Sequence, residues 1–194
     1  MARPSNKDKL LQEGFHLMHE RGFGGTSVRD IVHAAGVPQG SFTNHFASKE
    51  QFGLAALELY FGAIQDVIAK TLRNDALAPT QRLQAYIDVH IAAISGHGCK
   101  RGCMFGNTAA EAADGSEAMR LRVVEMLDEV NAALTQCLKA AVKAGELPAG
   151  TRAKDLAETI TSAFQGAILM SRLHRSTAPL ERFKRHLFAS LVKG

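Results

Sequence analysis

Three cysteines carry the most reactive side chains of this chain, and two of them lie in one glycine-rich segment. Cys103 follows Lys100 and Arg101 and precedes a short apolar run, whereas Cys137 lies inside a long helical pattern. A helix start and neighbouring cations stabilise a thiolate, so Cys103 is a candidate reactive thiol. The alternative is a small buried apolar residue, as most cysteines are. Cys99 is a weaker candidate, and Cys137 is expected to serve packing.

Two other kinds of chemistry fit the same segment less well. Cys103 could act as an enzyme nucleophile with His97 or His90 as its base, but no residue in the sequence is fixed to orient that base. His97, Cys99 and Cys103 could bind a metal, but a fourth ligand is missing and the spacing follows no common zinc pattern. We therefore expect no catalytic residue, no metal and no cofactor. An odd number of cysteines also forms no disulfide framework, which favours a reducing cytoplasm.

A second cluster is polar and follows the turn Gly36-Val37-Pro38. Two phenylalanines four residues apart, Phe42 and Phe46, are predicted to face the core of a short helix. The other side of that helix can pair with adenine edges through amides, and with bases or phosphates through hydroxyls and imidazole. The predicted reading residues are Gln39, Gly40, Ser41, Thr43, Asn44 and His45.

Helical periodicity predicts the elements that position these residues. A first helix begins after Ser5 or Asn6 and ends at the glycines of residues 22–25. A second begins at Thr26–Ser27, and Gly36 gives the backbone freedom for the turn into the third. Longer helices follow over residues 49–74, 80–94, 116–144, 152–175 and 179–192. Strand-type alternation is hardly visible, so we predict an all-α fold with about nine helices.

Composition and charge allow a nucleic-acid partner without demanding one. The net charge is +4, spread along the chain. No stretch reaches the roughly 20 apolar residues of a membrane-spanning helix. The first residues lack the apolar core of a secretory signal. We expect a cytoplasmic protein with no membrane partner.

The stretch from Thr26 to Lys49 resembles the signature of the TetR family of transcriptional regulators. The matching residues, in fixed register, are Ile31, Ala35-Gly36-Val37, Gly40-Ser41, His45-Phe46 and Ser48-Lys49. The resemblance implies an N-terminal three-helix helix-turn-helix domain (1–48) and a C-terminal effector-binding and dimerisation domain (49–194). It also implies phosphate contacts from Thr26, Ser27 and Lys49, and Arg29 joins the predicted DNA-contacting set. Thr43 stands where the family usually has an aromatic residue, which leaves that contact open.

The C-terminal part resembles a TetR subgroup that has a Gly-Cys-Leu-x-x-Asn segment in its sixth helix, here Gly102 to Asn107. Some members of this subgroup respond to electrophiles or small unsaturated metabolites, which makes Cys103 a candidate sensor. Plausible lining for an apolar effector pocket is Tyr86, His90, Phe105, Asn107 and Phe164, although each of these also suits a plain core. Small residues and an apolar stripe on the last two helices predict a homodimer interface of Ala163, Gly166, Ala167, Phe183, Leu187 and Leu191.

The prediction is a homodimeric repressor that leaves a palindromic operator when a small effector of unknown identity binds. Two other classes stay open at this point: a thiol-dependent enzyme using Cys103, and a helical adaptor that binds protein but no DNA. Activation in place of repression also fits the sequence.

Overall fold

In the computed structural model, residues 5–112 and 115–192 are described, and every regular element among them is a helix. The elements are α1 (Asn6–Arg21), α2 (Val28–Ala35), a 3-10 helix (Gln39–Ser41), α3 (Lys49–Lys70), α4 (Pro79–Gly96), α5 (Met104–Ala112), α6 (Glu117–Lys143), α7 (Ala153–His174) and α8 (Ala178–Val192). The predicted all-helical fold is confirmed within this range. Residues 1–4 of the predicted N-terminal domain lie outside the described residues.

The chain packs as two compact units, each made of two stretches of sequence. The first unit comprises the chain up to Gly62 together with Cys103–Val124. The second comprises Ala63–Gly102 and the chain from Glu125 onward. The helices α3 and α6 therefore each contribute residues to both units. The predicted boundary between residues 48 and 49 divides roles along the chain, and it stays a prediction.

Two capping boxes fix the helices at the start of the first unit. The Ser5 hydroxyl accepts from the Asp8 amide at 3.2 Å, and the Asp8 carboxylate accepts from the Ser5 amide at 3.1 Å. Ser27 and Asp30 repeat this pattern at the start of α2, at 3.1 and 2.9 Å. Each Ser hydroxyl also donates to the Asp carboxylate, at 2.7 Å in the first pair and 2.5 Å in the second. This bond, followed by the one from the Ser amide, holds the pKa of both aspartates below the usual value. Each helix start is thereby defined by a serine, as the sequence predicts.

A turn at Gly36 ends α2, and the predicted third helix after it is only partly regular. Gly36 has a left-handed φ of 60° and its amide donates to Val32 O and His33 O, which ends α2. The predicted third helix, residues 39–45, is regular only as a 3-10 turn over Gln39–Ser41. The Phe46 amide then donates to Phe42 O at 2.8 Å, so one α-type turn continues the segment. Gly40 disfavours a regular helix here, which explains the irregular form.

The second unit contains α4, α7 and α8 and the greater part of α6. Pro79 begins α4 in the position where its missing amide costs no hydrogen bond. The Thr80 amide donates to Glu146 Oε2 at 2.8 Å, which ties the start of α4 to the loop after α6. The Lys184 ammonium lies 2.5 Å from Asp88 Oδ1 and joins α8 to α4. These contacts complement a core of buried aliphatic residues.

The helix α3 is long and apolar enough to cross a membrane by length and composition alone, which the sequence count of apolar residues did not indicate. Its apolar residues include Phe52, Leu57, Ile64 and Ile68, which are all buried. A core helix of a helical protein has the same composition. We therefore interpret α3 as a core helix.

Candidate functional site

The polar segment after α2 lies on the surface of the first unit and is anchored by two buried rings. Phe42 and Phe46 are 2% and 3% exposed, and their ring centroids lie 5.9 and 5.2 Å from that of Phe52. Space is open where a Cβ of Gly40 would lie. The exposed side chains around the two rings are those of Gln39, Thr43, Asn44 and His45. The structure thus brings most of the predicted reading residues to the surface of one short segment.

Ser41 departs from its predicted role. Its side chain is 7% exposed, and its hydroxyl accepts from Asn6 Nδ2 at 3.4 Å. The prediction that the Ser41 hydroxyl faces DNA is therefore corrected: it contacts α1. Thr43 stays exposed, and its hydroxyl donates to Gly40 O at 3.1 Å, which holds the side chain in place.

At the start of α2, one predicted phosphate-contacting residue is buried and two are exposed. Thr26 is 1% exposed and its hydroxyl donates to Gly22 O at 2.8 Å. Its predicted phosphate contact is therefore corrected, because the side chain closes the turn between α1 and α2. Ser27 and Arg29 are exposed in the first turn of α2, where free backbone amides favour an anion.

Lys49 stands at the first residue of α3. Its ammonium lies 4.4 Å from the centroid of the Phe23 ring, within the range of a cation–π interaction. The Ser48 hydroxyl accepts from the Gln51 amide at 3.0 Å and so defines where α3 begins. The Phe23 ring and the Ser48 cap at the start of α3 together position the Lys49 ammonium.

Cys103 is buried at the start of α5, and the Asn107 amide donates to its carbonyl at 3.0 Å. The Tyr60 hydroxyl donates to the Cys103 sulfur at 3.6 Å. The ring of Phe105 meets that of Tyr60 edge-on at 5.0 Å. Three of the predicted effector residues, Cys103, Phe105 and Asn107, therefore share the beginning of one helix.

Tyr60 is the residue of this cluster that the sequence analysis missed. It also contacts His19 edge-on, with ring centroids 5.4 Å apart. Tyr60 is one of only two tyrosines in the chain and is half-buried on α3. A hydroxyl at such a position needs a partner, and that requirement is the signal that points to it.

The other two cysteines are buried away from such partners. The Cys137 sulfur donates to Pro79 O at 3.3 Å, and burial raises the pKa of its thiol to about 11. Cys99 is 4% exposed, and its carbonyl accepts from Arg175 Nη1 at 3.4 Å. Among the described residues, no cluster of metal-ligating side chains occurs.

The remaining predicted effector residues form an aromatic row in the second unit. The His90 ring lies 4.4 Å from Tyr86 and 5.9 Å from Phe164, and Phe164 lies 5.2 Å from Phe183. His90 Nδ1 lies 2.9 Å from the Tyr86 carbonyl, which can only accept, so Nδ1 carries the hydrogen. Burial lowers the pKa of His90, and the bond to Tyr86 opposes this only in part. The neutral ring therefore keeps Nε2 as an acceptor.

This lowered pKa predicts that stability depends on His90 at mildly acidic pH. A folded state that disfavours the charged imidazole loses stability as pH falls below the ordinary histidine value of about 6.5. We expect the fall in melting temperature between pH 7.5 and pH 5.5 to be smaller in His90→Leu than in the wild type. Thermal unfolding by circular dichroism measures this difference. His97→Leu, at an exposed position, is the matched control, and an equal fall in His90→Leu and wild type would contradict the prediction.

An open groove of about 470 Å³ runs along α7 and contains none of the predicted effector residues. It is lined by Asp155, Glu158, Thr159, Ser162 and Ala163. Of these, only Ala163 belongs to a predicted set, that of the dimer interface.

Farther along, α7 exposes a row of large apolar side chains. Leu169, Met170 and Leu173 are 64%, 42% and 71% exposed, and Ala163 and Gly166 are exposed at the same helical spacing. The remaining predicted dimer residues are half-buried: Ala167, Phe183, Leu187 and Leu191. Part of the Phe183 ring packs against Phe164. The three large residues of α7 were not predicted from the sequence, although their spacing continues that of Ala163 and Gly166.

Two sequence families match the chain. Residues 6–56 match the family "Bacterial regulatory proteins, tetR family", and residues 79–187 match "Tetracyclin repressor-like, C-terminal domain". Together the two matches cover the surface segment after α2 and the helices of the second unit.

Individual proteins match over nearly the full length. The transcriptional repressor DhaR of Mycobacterium sp. strain GP1 is 32% identical over 99% of this chain and 95% of its own. The crystal structure of the reduced form of Escherichia coli NemR has a TM-score of 0.85 at 31% identity, covering 93% of this chain and 94% of NemR. A crystal structure of the regulatory protein TetR from Rhodobacter sphaeroides gives a TM-score of 0.88 at 30% identity, covering 92% and 94% of the two chains.

Proposed function

Because this chain belongs to the TetR family of bacterial regulatory proteins, we propose that it represses transcription from a two-fold operator and releases that operator when an effector binds. It is a sequence-specific DNA-binding transcriptional regulator, and regulators of this family act as dimers. The family and the relatives are transcriptional regulators and not enzymes. A protein that binds chromosomal DNA works in the cytoplasm, which is the compartment we propose.

The observation that carries this proposal is the exposed polar segment above a buried aromatic pair. Phe42 and Phe46 anchor the backbone of this segment, and the side-chain amides of Gln39 and Asn44 are exposed on it. An anchored backbone matters because base discrimination needs bidentate hydrogen bonds of defined geometry. His45 and Thr43 lie beside them and add donors and acceptors.

Base and phosphate contacts fall to different residues in this proposal. We assign base reading to Gln39 and Asn44, whose amides match the adenine edge in the major groove. We assign phosphate contacts to Ser27, Arg29 and Lys49, which lie at the starts of α2 and α3. Free amides at a helix start and a nearby cation both attract an anion.

This division predicts two kinds of variant. Asn44→Ala or Gln39→Ala should lower operator affinity by about tenfold to a hundredfold and relax preference at one base pair, because a base contact is lost. Lys49→Ala should weaken operator and scrambled DNA alike and reduce the slope of log affinity against log salt by about one per lost phosphate contact. Fluorescence anisotropy with labelled duplexes at several salt concentrations measures both effects.

Lys70→Ala is the matched control for Lys49→Ala, since Lys70 is an exposed lysine at the other end of α3. It should leave the salt slope unchanged. The assignment of roles is overturned when Lys49→Ala alters base preference while Asn44→Ala weakens all DNA equally. A helical adaptor that binds only protein would show no operator shift at all.

The exposed apolar row of α7 supports a dimer surface on the last two helices. Leu169 and Leu173 would leave water when a second copy covers them, together with the small residues Ala163 and Gly166 that allow close helix approach. A two-fold interface uses the same patch on both copies. Such a dimer presents two reading segments, and its operator is therefore palindromic.

Cys103 is the residue that we propose as the sensor. Its sulfur accepts a hydrogen bond from the Tyr60 hydroxyl, which holds the thiol at the start of α5. The thiolate would attack the β-carbon of an unsaturated carbonyl compound, forming a C–S bond. The electron pair moves to an enolate that takes a proton from water. The added group enlarges the start of α5 and favours a conformation of the dimer that no longer fits the operator.

The aromatic row of the second unit suits a non-covalent effector. His90 Nε2 is an acceptor among the rings of Tyr86 and Phe164, which fits a small apolar molecule with one hydroxyl or amide donor. The experiment that tests the whole proposal is footprinting upstream of the protein's own gene and its neighbours, with candidate effectors, with and without reductant. Absence of any protected sequence would refute operator binding.

A further inference from the structure

The loop between α1 and α2 is tied to α5 by one carboxylate. Glu111 lies in the last turn of α5, and its Oε2 accepts from the Gly24 amide at 2.6 Å. The two residues are separated by 87 positions in the sequence and belong to the same compact unit. This contact plays no part in the roles assigned so far.

The glycines of this loop leave the space that the carboxylate occupies. A Cβ on Gly22 would lie 2.1 Å from Glu111 Oε1, and a Cβ on Gly24 would lie 3.3 Å from Oε2. Gly22 also has a φ of 86°, which disfavours other residues. The loop is thereby shaped to receive this side chain.

From the loop, two contacts lead to the proposed phosphate-binding residues. The carbonyl of Gly22 accepts from the buried Thr26 hydroxyl, directly before the Ser27 cap of α2. Phe23, between the two glycines, lies beneath the Lys49 ammonium at 4.4 Å. A displaced loop would therefore shift both the start of α2 and the position of Lys49.

A second hydrogen bond supports the same arrangement from the other side. The Ser116 hydroxyl donates to Glu50 Oε1 at 2.5 Å and accepts from the Met119 amide at the start of α6. Glu50 is the residue after Lys49. Glu111 in α5 and Ser116 before α6 thus contact Gly24 and Glu50, the residues that follow Phe23 and Lys49 in the sequence.

We propose that Glu111 is a positioning residue for DNA binding, which fixes the glycine loop so that Ser27 and Lys49 meet the phosphates of the duplex. The proposal rests on the proposed phosphate role of these two residues. A direct contact of Glu111 with DNA is disfavoured, because a carboxylate repels phosphates. The two effects of removing Glu111 on DNA affinity therefore have opposite directions. Loss of its charge alone would strengthen DNA binding, whereas loss of a positioning bond weakens operator binding.

Two conservative variants separate charge from position. Glu111→Asp keeps the charge but is one methylene too short to reach the Gly24 amide. Glu111→Gln keeps the length and an acceptor oxygen but lacks the charge. We expect about a tenfold loss of operator affinity in Glu111→Asp and in Glu111→Ala, the scale of one lost charge-assisted hydrogen bond, and a smaller loss of about threefold or less in Glu111→Gln.

The measurement is an anisotropy titration of the full-length protein with a labelled operator duplex and with a scrambled duplex at fixed salt. Because Ser27 and Lys49 contact phosphates in this proposal, the affinities for both duplexes should fall by about the same factor, and their ratio should stay close to that of the wild type. Glu146→Ala is the matched control, because Glu146 makes the same type of bond to a backbone amide in the second unit. Melting temperatures should stay close to the wild type, since the Glu111 bond is exposed.

The outcomes are distinct. Normal operator affinity in Glu111→Asp, or a greater loss in Glu111→Gln than in Glu111→Asp, overturns the positioning role and leaves operator binding intact. A loss confined to the operator duplex also overturns it, because a displaced phosphate contact weakens binding to all DNA. Failure of the wild type to prefer the operator refutes the proposed function itself.

Discussion

Leu173→Glu is expected to convert the dimer into monomers and to weaken binding to a full operator by about a thousandfold. Leu173 is 71% exposed on α7 and continues the row that contains Leu169, so the substitution leaves the core of the protomer untouched. A two-fold interface would bury the new carboxylate twice without a partner, at a cost of several kcal/mol. Sedimentation velocity at micromolar concentration measures the dimer, and anisotropy measures the operator affinity.

Binding to a half-operator distinguishes loss of the dimer from damage to the DNA-contacting segment, residues 39–45. Binding of Leu173→Glu to a single half-site should equal that of the wild-type protein, because the residues from Gln39 to His45 are unchanged. Leu121→Glu is the matched control, since Leu121 is 46% exposed on α6. A dimeric Leu173→Glu, or a monomeric Leu121→Glu, would place the interface on another surface.

Local features of the fold could be predicted from the sequence because they depend on neighbouring residues. The Ser27–Asp30 capping box and the left-handed Gly36 each satisfy backbone groups within a few residues. The exposure of Gln39 and Asn44 followed from the four-residue spacing of Phe42 and Phe46. Their predicted role in base reading came from the family signature; the comparisons confirm the family, and the role of the two residues stays a proposal.

The failures arise where a side chain has a partner that its own helix does not reveal. Ser41 was predicted to face DNA, but a distant residue of α1, Asn6, binds its hydroxyl. The Glu111–Gly24 bond joins residues far apart in the sequence, so no periodicity indicates it. The large residues of the α7 row were missed for a related reason. An apolar residue at helical spacing looks the same in a sequence whether it faces its own core or a second copy.

The predicted DNA-contacting residues and the predicted effector residues differ in how far the sequence specifies them. In the first unit a signature of fixed spacing specified the surface, and the structure corrected only Thr26 and Ser41. The effector residues carry no such signature, because rings such as those of Tyr86 and Phe164 suit a core and a pocket equally. The thiol of Cys103 is the exception, since its chemistry can be tested without knowing the effector.

Cys103→Ser should abolish release of the operator by a thiol-reactive electrophile. N-ethylmaleimide added to the wild-type complex is expected to weaken operator affinity by about a hundredfold, near the upper end of couplings between two sites in one protein. A serine hydroxyl has nearly the same size as the thiol but does not react, so Cys103→Ser should bind the operator normally before and after treatment. Mass spectrometry of the treated protein identifies the alkylated residue.

Cys137→Ser is the matched control, because burial raises the pKa of the Cys137 thiol to about 11 and makes it inert near neutral pH. It should release the operator as the wild type does. Tyr60→Phe removes the hydroxyl that donates to the Cys103 sulfur at 3.6 Å, and should change the alkylation rate by up to about tenfold because the sulfur loses the bond that positions it. Release of Cys103→Ser at the wild-type rate would instead assign the sensor to Cys99 and leave Cys103 as a packing residue beside Tyr60.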